Sequence, residues 1–98
     1  MTEDIQLLGN IIELVGFSKV DGGSMIVLKK IIGSYVRRLS DNVPGFEKIR
    51  ISLESAEASK VTAEVMIQGN VKSFEDIEKN LFVAVDSCLK KVETDLIK

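Results

Sequence analysis

The side chains in this sequence that could do chemistry are mainly cations. Lys29, Lys30, Arg37 and Arg38 come first, followed by Lys48 and Arg50. Residues 22–50 carry a net charge of +4, between an N-terminal stretch and a C-terminal half that each carry −3. Such an island can hold phosphates, contacts that position a protein on a nucleic acid without reading its sequence. It can equally be the solvated face of a helix. One Tyr, four Phe and no Trp leave little aromatic surface for stacking unpaired bases. The overall charge of −2 argues against a general nucleic-acid binder. What the island still permits is docking on one structured RNA surface.

Other chemistries find little support. There is no His, which removes the usual imidazole base and the commonest zinc ligand. Cys88 falls on an apolar stripe and reads as an inert core thiol. Ser55, Ser59 and Ser73 have the positions of turn and cap residues. Glu54, Glu57 and Glu64 read as surface carboxylates, with Glu78 closer to the apolar stripe. No catalytic residue, metal ligand or cofactor-binding residue is assigned, no cofactor is expected, and no small-molecule substrate is evident. Asp21-Gly22-Gly23 could offer free backbone N–H groups to a phosphate. It lacks the Lys-Ser/Thr of a P-loop and reads as a turn ahead of a helix. There is no apolar run of about 18 residues, hence no expected membrane span. The start, MTEDIQ, lacks the basic region of a secretory signal, and the lone Cys points to a reducing cytoplasm.

The elements that would position the cations follow from periodicity. Residues 1–98 suffice for one α+β domain. Ser24–Ser40 predicts a helix capped by Ser24, with Met25, Leu28, Ile31, Ile32, Tyr35, Val36 and Leu39 on its apolar face. Lys30, Arg37 and Arg38 lie opposite that face, with Lys29 on its flank. Ile26 and Val27 also fall on the polar side and are candidate protein contacts. Ser73–Ile97 predicts one long helix, with Phe74, Ile77, Leu81, Val85, Cys88, Leu89, Val92 and Leu96 as its stripe. Residues 2–16 read preferentially as a helix capped by Thr2, although the run Ile11–Val15 is also β-prone. Lys48–Glu54 and Lys60–Gln68 alternate cleanly and predict an antiparallel hairpin. With Glu54 opposite Lys60, the pairs Leu53–Val61, Ile51–Ala63, Ile49–Val65 and Arg50–Glu64 agree on one register. The expected architecture is a two-layer α+β sandwich, α-α-β-β-α, with that hairpin and a long C-terminal helix.

A two-stranded ribbon leaves both edges open. A strand from the N-terminal segment, a strand around Val71–Ile77, or a second copy could close them. With helices already assigned to both segments, a homodimer is the favoured solution. The preferred functional expectation is accordingly a non-enzymatic, self-associating protein-interaction module. The alternative is a ribosome- or RNA-associated factor that docks through a basic helix face.

That alternative has a second source. Phe82, Ala84, Val85 and Asp86, followed by Lys91, Val92, Glu93, Leu96 and Lys98, resemble the last helix of the ribosome hibernation-promoting factor family. The preceding order is similar too: a basic helix containing Tyr35-Val36, the loop Gly45-Phe46-Glu47-Lys48-Ile49, then two alternating strands. The resemblance spans about residues 25–98. It implies a β-α-β-β-β-α domain that docks on ribosomal RNA, with Lys29, Lys30, Arg37, Arg38, Lys90 and Lys91 as the corresponding contacts.

Overall fold

The two alternating segments form the centre of the molecule. In the computed structural model, which describes residues 5–18, 20–55 and 59–97, they are β3 (Phe46–Ser55) and β4 (Lys60–Ile67). Their register contains Ile49 opposite Val65, Ile51 opposite Ala63, Leu53 opposite Val61 and Arg50 opposite Glu64, as the pairing of apolar and charged faces requires. An irregularity after Leu53 sets Ser55, rather than Glu54, opposite Lys60. The Lys60 ammonium still lies 3.6 Å from the Glu54 carboxylate. Residues 56–58 of the connection lie outside the described residues.

Around this hairpin the described residues add β1 (Ile5–Leu8), β2 (Ile12–Val15), α1 (Gly22–Asn42), β5 (Asn70–Ile77) and α2 (Leu81–Leu96). The described strands form one five-stranded sheet in sequence order, β1 to β5. β2 pairs with β3 in parallel, and the other neighbours are antiparallel. A parallel pair needs a long crossover, and α1 supplies it. Both helices cover the same face of the sheet. Ile12, Leu14, Ile49, Ile51, Val61, Ala63 and Val65 meet Met25, Leu28, Ile32, Val36 and Leu39 of α1 and Val85, Cys88, Leu89 and Val92 of α2. Each large aliphatic side chain buried there contributes roughly 1.5–3 kcal/mol. The expected two-layer α+β sandwich is therefore present, with its apolar stripes turned inward.

The element order differs from expectation. It is β-β-α-β-β-β-α, not α-α-β-β-α. Residues 5–15 form a hairpin of two strands in place of a first helix; the proposed Thr2 cap lies outside the described residues. Gly9, at φ +66°, turns the chain between them in a conformation that strains other residues. Ile12 and Leu14 then bury against Ile49 and Ile51, a non-local partnership that favours the β-branched run over helical periodicity.

The long C-terminal helix is also shorter than predicted. Gln68 and Gly69, at φ +50° and +80°, make a two-residue hairpin turn, and Asn70–Ile77 returns as β5. Asn80, not Ser73, caps α2: its side chain accepts from the N–H groups of Phe82 and Val83 at 2.8 and 3.4 Å. β5 escaped the periodicity argument because its pattern is inverted. Its helix-facing positions are Lys72, Phe74 and Asp76, while Val71 and Ile77 are exposed. The two charged groups are matched from α2, Lys72 by Asp95 at 3.0 Å and Asp76 by Lys91 at 3.5 Å. α1 likewise begins earlier than expected, with Asp21 as its cap in place of Ser24.

The chain leaves β2 through Gly16, at φ +82°, where an added Cβ would sit 2.5 Å from the Leu53 carbonyl oxygen. Gly33, inside α1, has open space around it. Gly16→Ala is expected to destabilise the fold by about 2 kcal/mol or more, combining the positive φ with the backbone clash. Gly33→Ala is expected to stabilise it by up to about 1 kcal/mol. Thermal melts should separate the two variants in opposite directions, at roughly 4–8 °C per kcal/mol for a domain of this size.

Candidate nucleic-acid interface

The two helices run parallel with their starts side by side. Asp21 and Ser24 of α1 border the same depression as Asn80, Leu81 and Phe82 of α2. Further along, the Tyr35 hydroxyl donates to the Asp86 carboxylate at 2.8 Å, and Arg38 Nε donates to Glu93 at 2.7 Å. Arg38 also stacks over the Tyr35 ring, 4.7 Å from its centroid, and donates to the Ser34 hydroxyl at 3.0 Å. These groups form a polar seam over the apolar contact between the helices. The Arg38–Glu93 pair is 47% and 29% exposed, so it is a surface ion pair worth at most about 1 kcal/mol.

The seam divides the expected RNA contacts. Lys29, Lys30, Arg37 and Arg38 all lie exposed on α1, and Lys90 and Lys91 lie exposed on α2. Lys30 and Arg38 share the groove between the helices with Ile31, Ser34, Tyr35 and Asp86. Lys90 and Lys91 border a second depression toward β5, with Phe74, Ser87, Thr94 and Asp95. Arg38 is engaged by Glu93, and Lys91 by Asp76 and by the Glu75 carbonyl at 2.9 Å. Among the described residues, Lys29, Lys30, Arg37 and Lys90 have no such carboxylate. The helix layer thus presents four uncommitted cations and two neutralised ones.

The other half of the basic island is elsewhere. Lys48 and Arg50 alternate with the buried Ile49 and Ile51, so they point to the uncovered face of the sheet. There they border a shallow pocket with Glu13, Glu64, Met66 and Val71, and Arg50 Nε donates to Glu13 at 2.9 Å. What reads as one island in sequence is two surfaces on opposite sides of the molecule. Ile26 and Val27 are 61% and 47% exposed near the start of α1, where Val83 of α2 is also exposed.

The remaining candidates take up structural positions. The Asp21 carboxylate accepts from Ser24 N at 3.0 Å and from Ser24 Oγ at 2.7 Å. Those hydrogen bonds hold its pKa below the usual carboxylate value. A carboxylate of the chain itself thus fills the anion position ahead of α1, as a turn and helix start require. Cys88 is fully buried, its Sγ near the carbonyls of Val61 and Phe74. Burial, with Asp76 nearby, pushes its pKa up to about 11, away from the reactive thiolate.

Nothing in the apolar periodicity of α2 marks Asp86 and Glu93. Their spacing of seven puts them on one flank of α2, but only the helix–helix register reveals that the flank faces Tyr35 and Arg38. Tyr35 reports on that seam. Burial, then the hydrogen bond to Asp86, raises its pKa from 10.0 to about 12. Since the chain has one tyrosine, its tyrosinate absorbance is expected to develop with a midpoint near pH 12 in the native state. Asp86→Asn should move that midpoint down. The folded phenol keeps its proton where the unfolded one loses it. Stability from this group is therefore present below about pH 10 and falls as the pH rises toward 12. A native midpoint near 10 would contradict the seam geometry.

No protein-family model matches the chain, and no curated protein matches it. Solved structures do. The crystal structure of the Thermus thermophilus Protein Y N-terminal domain is similar with a TM-score of 0.61 and 15% identity, covering 93% of this chain and 96% of that one. A ribosomal subunit interface protein from Coxiella burnetii is similar with a TM-score of 0.61 and 17% identity, covering 88% and 90%. At these identities the likeness is one of fold. It spans most of the chain. In fold, therefore, the chain resembles the hibernation-promoting factor family, as the residues from Met25 onward suggest.

Proposed function

We propose that this protein is a non-enzymatic, ribosome-associated factor that docks on structured RNA through the outer surface of its helix layer. The observation that carries the proposal is the fold likeness, over 88% of this chain, to a protein described as a ribosomal subunit interface protein. The four uncommitted cations, Lys29, Lys30, Arg37 and Lys90, supply the phosphate contacts such docking needs. Arg38 and Lys91 contribute less, because carboxylates of the chain already hold them. The net charge of −2 and the carboxylates on α2 limit the affinity for unstructured nucleic acid, so shape complementarity has to select the RNA. A cytoplasmic location follows from this reading. No helix among the described residues is long and apolar enough to cross a membrane.

Self-association as the primary role loses its motivation. The hairpin edges that called for a second copy are covered within the chain by β2 and β5. The exposed Ile26 and Val27 remain a candidate protein contact, placed beside the cations on the same helix.

Co-sedimentation with purified ribosomes at about 50 mM and about 200 mM salt tests the proposal. Binding is expected at the lower salt and should weaken clearly at the higher, as counterion release requires. The double variant Lys30→Glu, Arg37→Glu should lose roughly tenfold or more in affinity with its melting temperature unchanged. Absence of binding at both salts would retire the reading in favour of a protein-interaction module.

A further inference from the structure

We infer that Glu93 is a built-in competitor of RNA phosphate for Arg38, and so sets the affinity of the helix layer. The inference rests on the RNA reading above. Arg38 is placed like a phosphate-binding residue: it is about half exposed and borders the open groove between the helices with Lys30. Its guanidinium is nevertheless engaged through two of its N–H donors and its face. Nε donates to Glu93 at 2.7 Å, one terminal nitrogen donates to Ser34 at 3.0 Å, and the plane lies over Tyr35. Tyr35 is itself fixed by Asp86 at 2.8 Å. The carboxylate on Nε occupies one edge of the fork and offsets the charge that a phosphate would otherwise meet.

The competition is one that RNA can win only in part. An exposed pair of this kind is weak, and an exposed stacking contact adds a similar amount. Displacing Glu93 would also leave its carboxylate beside the incoming phosphate. Wild-type protein therefore binds with Arg38 still paired, and Glu93 lowers affinity without abolishing it. The Lys91–Asp76 pair is a different case, because Asp76 sits on β5 between strand and helix and its carboxyl is largely covered. Releasing that lysine would break sheet-to-helix packing, whereas releasing Arg38 leaves the apolar core untouched.

The test uses the full chain as wild type, Glu93→Gln, Arg38→Gln and the double variant. Ribosome affinity is measured by co-sedimentation at several salt concentrations, and thermal melts confirm folding. Glu93→Gln is expected to bind roughly three- to tenfold more tightly at low salt. The slope of log affinity against log salt should steepen by roughly 0.7–0.9, the signature of one additional phosphate contact. Arg38→Gln should bind like wild type within about twofold, and adding it to Glu93→Gln should remove the gain. That loss in the double variant distinguishes release of Arg38 from a general change in charge.

Wild-type binding with no gain in Glu93→Gln overturns the inference while the RNA reading stands. A gain that survives in the double variant overturns it too, as does a tenfold loss in Arg38→Gln alone. Binding by Glu93→Gln where wild type shows none contradicts a competitor that only lowers affinity. Failure of both proteins to bind removes the RNA reading and this inference together.

Discussion

The parallel pairing of β2 with β3 is the constraint on which the rest of the structure depends. It places Ile12 and Leu14 beside Ile49 and Ile51, joining the N-terminal hairpin to the three-stranded meander. Two parallel neighbours cannot be linked by a tight turn, so the chain must travel back along one face before β3 begins. α1 is that return path. The pairing therefore decides which face of the sheet is covered, where α1 lies, and on which side of the molecule Lys30 and Arg37 emerge. Gly16 makes the departure possible, because the backbone of Leu53 approaches too closely for any side chain.

Once α1 is seated, the second helix must meet two different neighbours. Its apolar stripe goes to the core through Ala84, Val85, Cys88, Leu89 and Val92. Its two flanks are polar, and each finds charged partners. Asp86 and Glu93 turn toward Tyr35 and Arg38, while Lys91 and Asp95 turn toward Asp76 and Lys72 of β5. These exposed pairs add little stability individually. Their larger effect is on the charge of the surface, because they decide which cations remain without a carboxylate partner. An acidic chain can still present a basic surface when its carboxylates are spent on particular partners.

Much of the architecture is legible from local pattern. The β3–β4 register could be read because three apolar pairs and Arg50–Glu64 all agree on it, and a slip by one residue would turn every inward side chain outward. α1 was legible because its apolar stripe is continuous and Pro44 stops it. The last helix was legible from Leu81 onward. The N-terminal hairpin and β5 were not. In Ile5–Val15 the apolar residues satisfy both a helical and a strand period, and Gly9 between them is the strongest local sign of a turn. In β5 the inner face carries Lys72 and Asp76, so alternation gives the wrong face and the segment reads as a helix start. Gln68-Gly69, a turn with both residues at positive φ, was the signal that a third strand follows.

By itself, then, the sequence determined which segments carry apolar stripes, the pairing of the central hairpin, the absence of histidine chemistry and the positions of the cations along the chain. These are consequences of residue type and of spacing within one element. The tertiary structure decided the parallel β2–β3 pairing, the strand identity of β5 and the partnership of Asp86 and Glu93 with α1. It also separated Lys48 and Arg50 from the helix cations. Each of these depends on groups far apart in sequence, whose proximity is set by the packing of the whole sheet and helix layer.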